Sequence, residues 1–134
     1  MNVVEHTFLS STVVGADSQT PLASFPNITM AAVAIQITAE SGTAPTLSAW
    51  LVGTLDGGVI WHPIPFDLKL KGASTGADQT ADDFDRNIFD VEGDPVAQAV
   101  AIYKHLPFRD LALKYAIGGS ATPTKTFSAY LVGK

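Results

Sequence analysis

The most site-like spacing in this 134-residue chain lies in one acidic stretch. Asp83, Asp85 and Asn87 alternate as D-x-D-x-N, and Asp94 stands where a twelve-residue calcium loop places its last ligand. A hard cation takes several oxygens from one flexible loop, so these residue types suit calcium. Two positions depart from that chemistry. Ile88 stands where the sharp turn requires glycine, and Asp94 replaces the bidentate Glu. The stretch therefore reads as a solvated acidic loop, partly neutralised by Arg86, and no metal is expected.

Other reaction motifs are missing from the sequence. His6, His62 and His105 are far apart, and none stands in an HxH or HExxH spacing, so they read as surface or edge-strand residues. With no cysteine there is no disulfide, thiol nucleophile or thiolate metal site. No serine sits in a GxSxG elbow, and neither GxxxxGKS/T nor GxGxxG occurs. Asn27 opens an Asn-Ile-Thr sequon, which matters only in a secreted protein. Trp50, Trp61, Tyr115 and Tyr130 would make a sugar-binding platform if they met on one exposed face. Rings of this size more commonly fill a core or a subunit interface, and that is the expectation here. Neither a catalytic residue nor a cofactor is expected.

The elements that position these residues are strands. Val33, Ile35, Ile37 and Ala39 share one face, as do Leu111, Leu113, Tyr115 and Ile117. Leu47, Ala49 and Leu51 alternate with Ser48, Trp50 and Val52, and Phe127, Ala129 and Leu131 with Ser128, Tyr130 and Val132. Further strands are expected over His6–Val14, Val59–Leu70 and Val96–Lys104; the second is an edge, bulged or broken strand, because Pro63 and Pro65 cannot donate to a ladder. Ser41–Pro45, Asp56–Gly58 and Gly118–Ser120 read as turns between strands. Short strands separated by such turns make a sandwich or a barrel. Ser48-Ala-Trp-Leu-Val-Gly53 also echoes Ser128-Ala-Tyr-Leu-Val-Gly133: either equivalent strands of two sheets, or two amphipathic strands alike by chance.

Between roughly 71 and 95 the chain turns polar and holds Asp78, Asp82, Asp83, Asp85, Asp90, Glu92 and Asp94. Long loops inside small domains are commonly functional. Phe84, Ile88, Phe89 and Val91 are embedded in this one, which suggests that it docks on something. The rest of the composition bounds the answer. Hydrophobic residues make up 46% and charged residues 16%, enough for a core and too little charge for a disordered chain. Net charge is −5 with no Lys/Arg cluster, so neither nucleic acid nor an anionic membrane is an expected partner. Met1–Val14 lacks a basic segment followed by a long apolar run, so no secretory leader is expected.

Set in order, several motifs resemble those of small virion proteins of tailed bacteriophages. The pattern runs through Ser41-Gly-Thr-Ala-Pro-Thr-Leu47, then Thr54-Leu-Asp-Gly57 followed by Trp61. It continues with Arg109, Tyr115-Ala-Ile-Gly-Gly-Ser-Ala-Thr-Pro123 and Phe127-Ser-Ala-Tyr-Leu-Val132. The order and spacing cover most of the chain. Two features depart from the pattern: Thr54 stands in place of a serine, and the acidic insertion is longer than usual. The resemblance implies a capsid decoration or cement protein, non-enzymatic, made in the host cytoplasm and bound on the outer capsid surface of the virion. It implies the major capsid protein and copies of itself, in a homo-dimer or homo-trimer, as partners. A carbohydrate- or receptor-binding module, or a tail or neck module, is the alternative.

The expected architecture is all-β: one domain over 1–134, an antiparallel, jelly-roll-like β-sandwich with one long acidic loop at about 71–95. The residues expected to touch a partner are Phe84, Ile88 and Phe89 in that loop, and Asn2, Val3 and Val4 in the N-terminal arm.

Overall fold

The computed structural model describes residues 3–74, 87–92 and 97–134. It is an all-β, antiparallel sandwich built around two long strands, β4 (Ala31–Thr54) and β9 (Asp110–Gly133). These pair along their whole length, from Ala31 opposite Gly133 to Thr54 opposite Asp110. The other strands flank them. β1 (Val4–Val14) and β8 (Ala97–Tyr103) lie beside the Ala31 end of the ribbon, and β6 (Leu68–Ser74) lies outside β8, in the order β1-β9-β4-β8-β6. Short strands β2 (Ser18–Gln19) and β3 (Ala23–Ser24) pair with the first half of β9. β5 (His62–Pro63) and β7 (Asn87–Glu92) pair with the second half of β4.

The ribbon is continuous because its two expected turns lie opposite each other. Ser41–Pro45 and Gly118–Pro123 do not end strands; together they bend one ladder, and the register slips between Ile37 and Thr46. Two glycines of the bend, Gly42 and Gly119, each pack on the other strand's proline segment. Gly42 (φ 92°) is so close to Pro123 that a Cβ there would lie 2.7 Å from its Cα. Gly119 (φ 119°) leaves room for a Cβ only 3.0 Å from Pro45 Cα. Ala44, Ala121 and Thr122 also take left-handed backbone angles, which cost an L-residue about 1–2 kcal/mol each. The bend folds the ribbon onto itself, and that fold creates the two layers.

The layers are related by a local two-fold. Ile37 faces Phe127 across the ladder; eighty positions on from Ile37 is Ile117, which faces Leu47. Ala31–Gly133 and Leu111–Gly53 correspond in the same way. The sequence echo is thus a structural equivalence, and it runs from Thr46–Gly53 to Thr126–Gly133.

Between the layers lie Val33, Ile35, Ile37, Leu47, Leu51, Leu111, Leu113, Phe127 and Leu131, all essentially without solvent contact. Tyr115 meets Phe127 edge to face across the bend at 5.6 Å. The alternation in β4 and β9 puts these residues inward, and removing one large aliphatic side chain would cost about 2–5 kcal/mol.

Two expected elements differ. Val59–Leu70 is not one strand: pairing occurs only at His62–Pro63 and again from Leu68. The N–H groups of Val59 and Ile60 are taken by the Asp56 carboxylate, and Pro63 and Pro65 have none to offer. The acidic stretch is not all loop either. Its first residues, up to Ser74, extend β6, and Asn87–Glu92 form β7 against Thr46–Trp50. Phe89 and Val91 alternate with Asp90 and Glu92, a strand pattern that the surrounding acids mask in the sequence.

Candidate partner-binding surface

Four strands place a second apolar surface on the outside of the first layer. In register across β9, β4, β8 and β6 lie Val132, Ala32, Ile102 and Leu68; the next row holds Tyr130, Ala34, Val100 and Leu70. Side chains of one parity in these strands fill the core, so this set must point outward. Val132 is 45% exposed and Leu70 49%. Polar side chains border the rows: Glu5 and Thr7 on the β1 side, Gln36 and Gln98 beyond the Tyr130 row. An apolar centre within a polar rim is the anatomy of a protein–protein contact.

The local two-fold sharpens this observation. Val52 and Ala112 are the counterparts of Val132 and Ala32, eighty positions away in each case. Both are buried, at 1% and 0% exposure. The same pair of residues is thus covered in one layer and open in the other.

At the end of the open face is a cleft of about 240 Å³, lined by Val3, Met30, Ala32, Ile102, Val132 and Lys134, among others. A separate apolar feature stands on the loop after β4. Thr54, itself buried, donates its hydroxyl to Asp56 and accepts the Gly58 N–H at 3.0 Å. Asp56 Oδ1 accepts the N–H groups of Val59 and Ile60 at 3.1 and 3.0 Å. These bonds, the Ile60 N–H first, hold the Asp56 carboxyl below its ordinary pKa range, so it is anionic at neutral pH. The N–H groups of Asp56, Gly58, Val59 and Ile60 are thus bonded within the loop, and Leu55, Val59 and Ile60 are left facing solvent, Val59 at 81% exposure.

No protein-family model and no curated protein matches this chain. Among solved structures, the chain is similar to a protein in the structure of infectious bursal disease virus Gt strain. The two are 14% identical, the TM-score is 0.35, and the match covers 98% of this chain. It covers 41% of the viral protein, so the chain spans about two fifths of that protein's length.

The sequence-predicted site residues fall in several places. Val3 is exposed and lines the cleft, whereas Val4 packs half-buried against the core. Ile88 and Phe89 lie on β7, with Phe89 opposite Ala49. Asn2 and Phe84 lie outside the described residues. So do Asp83, Asp85 and Asp94 of the calcium-like pattern, while Asn87 begins β7 opposite Trp50. Among the described residues no three His, Asp or Glu side chains gather where they could hold a metal ion. His6 lies between Phe8 and Phe25, His62 stacks on Phe108 at 5.6 Å, and His105 is exposed.

The four aromatics weighed as a sugar platform do not share one face, and Trp61 is half-buried beside Gly58. Tyr115 is in the core, Tyr130 is on the outer face of the first layer, and Trp50 is half-buried in the second with the Lys114 ammonium 5.9 Å from its ring. Sequence reasoning missed the open face itself. Its signal was present in Val96–Lys104 and Phe127–Val132, which are apolar at both parities, the mark of a sheet covered on both sides.

Proposed function

We propose that this protein is a non-catalytic structural module of a tailed-phage virion, a capsid cement or decoration protein that bridges capsid subunits from the outer surface. The observation that carries the reading is the open apolar face of the first layer, whose two-fold counterpart is covered. Leaving that much aliphatic surface in water is unfavourable by roughly 25 cal/mol per Å², and a subunit laid over it recovers that energy. The resemblance of the motif order to that of small phage virion proteins is in keeping with the same role. Repeated copies on a symmetric shell would turn modest individual contacts into firm attachment.

The test is co-sedimentation with phage heads lacking this protein, using wild type and a variant carrying Tyr130→Asp and Leu70→Asp. Both side chains are already solvated, so the fold should survive, as far-UV circular dichroism will show. Saturable wild-type binding, weakened at least about tenfold in the variant, is expected. No binding to heads would overturn the cement role. Binding to purified tails instead would place the module in the tail or neck.

A further inference from the structure

The loop after β4 and the cleft beside β9 complement each other. The loop Thr54–Ile60 forms a knob: Leu55, Val59 and Ile60 are exposed on a backbone in which the Gly58, Val59 and Ile60 N–H groups are tied to Thr54 and Asp56. Such a loop is ordered before it meets a partner, so docking it costs little entropy. The cleft is concave and almost wholly apolar, and its volume of about 240 Å³ accommodates one or two aliphatic side chains. The single charge on the knob is the Asp56 carboxylate, and the charged residue lining the cleft is Lys134.

We propose that the Thr54–Ile60 knob of one copy seats in the Val3–Met30–Ala32–Ile102–Val132 cleft of a second copy, head to tail. Knob and cleft are different surfaces, so the contact is heterologous. Each bound copy still offers one free knob and one free cleft, and the assembly either closes as a ring or runs on as a chain. The apolar pair supplies affinity, while Asp56 and Lys134 favour this orientation over one that joins knob to knob or cleft to cleft. A lipid surface is a poorer fit for the knob, because the loop carries an acid and no base. The contact takes the Val132–Ala32–Ile102 end of the open face and leaves the Tyr130–Ala34–Val100–Leu70 row to the capsid subunit; it rests on the assembly role proposed above for its biological purpose, but its test requires no capsid.

The experiment mixes two disabled variants. Val59→Asp with Leu55→Ser spoils the knob; Val132→Arg spoils the cleft, and Ala32→Trp serves as an independent cleft variant should Val132→Arg unfold. Wild type, each variant and their equimolar mixture are weighed by sedimentation velocity at about 100 μM, with circular dichroism confirming the fold. Wild type is expected as an oligomer, each variant alone as a monomer, and the mixture as a dimer, since one intact knob meets one intact cleft. A mixture that remains monomeric, a wild type that is monomeric throughout, or variants that still self-associate alone would each overturn the proposal. Flotation of wild type, but not of the knob variant, with phosphatidylcholine vesicles would also overturn it and assign the knob to a membrane. Head binding with a monomeric wild type would leave the cement role standing and remove only this contact.

Discussion

Replacing Gly119 with alanine should weaken this protein more than any exposed glycine substitution, because that glycine sits where the two long strands bend past each other. Its φ of 119° lies beyond the region that L-residues tolerate, which costs up to about 3 kcal/mol. A Cβ would stand 2.9 Å from the carbonyl oxygens of both Thr43 and Ala44. Both are backbone atoms, so no side-chain rotation relieves the contact and β4 itself must shift. We expect a loss of about 3–4 kcal/mol from these two effects. Gly57→Ala is the control. That residue also has positive φ, at 76°, but open space around it, so only the backbone cost of about 1–2 kcal/mol applies. In a domain of this size each kcal/mol moves the melting temperature by about 3–5 °C, so the two variants should melt clearly apart. Gly42→Ala, with its Cβ 2.7 Å from Pro123 Cα, should resemble Gly119→Ala. The double variant should lose less than the sum, because the first shift already makes room for the second. Urea unfolding at unchanged m-value measures all four. If Gly119→Ala costs no more than Gly57→Ala, the paired bend is not where the ribbon turns.

The two remaining predictions concern buried polar groups. The Tyr103 hydroxyl faces the Leu51 backbone in the core but, among the described residues, meets no partner at hydrogen-bonding geometry, and burial pushes the phenol well above its ordinary pKa of 10.0. Tyr103→Phe should therefore be neutral or stabilising by about 1 kcal/mol in urea unfolding, and a clear loss would show that the hydroxyl is bonded. Its pH sign is fixed: with the folded pKa raised, this contribution is complete below pH 10.0 and is lost as pH rises toward the folded value. Wild type should consequently lose stability faster than Tyr103→Phe above pH 10. At the bend, Lys125 Nζ is wholly buried 2.5 Å from Glu40 Oε2. Glu40→Ala should cost about 3 kcal/mol by stranding part of that charge, whereas Lys125→Met with Glu40→Leu should cost much less; equal losses would show that the pair itself stabilises the fold.

What the sequence determined by itself was local. Period-two alternation in Ala31–Ile37, Leu47–Leu51, Leu111–Tyr115 and Phe127–Val132 set which side chains face inward, because strand geometry sends alternate residues to opposite faces; Ala39, expected on the same face as Ile37, is exposed because the register slips between them. The all-β class followed from those runs and their glycine- and proline-bearing breaks. The role of the breaks was not local. Ser41–Pro45 read as a turn that ends a strand, and only its placement opposite Gly118–Pro123 lets the ladder continue through both and fold into two layers. β7 was missed for a related reason: its alternation is short and lies among acids, and β4 supplies the pairing that makes it a strand.

The candidate surface was the least legible part. Val52 and Val132 occupy the same place in the echoed segments, after Leu and before Gly, on strands of the same ribbon. One is buried and the other is 45% exposed. Their covalent surroundings are nearly identical, so nothing in either hexapeptide could tell them apart. Burial depends on what lies across from a residue, and only the tertiary structure decides which of two like faces is covered and which remains open to a partner.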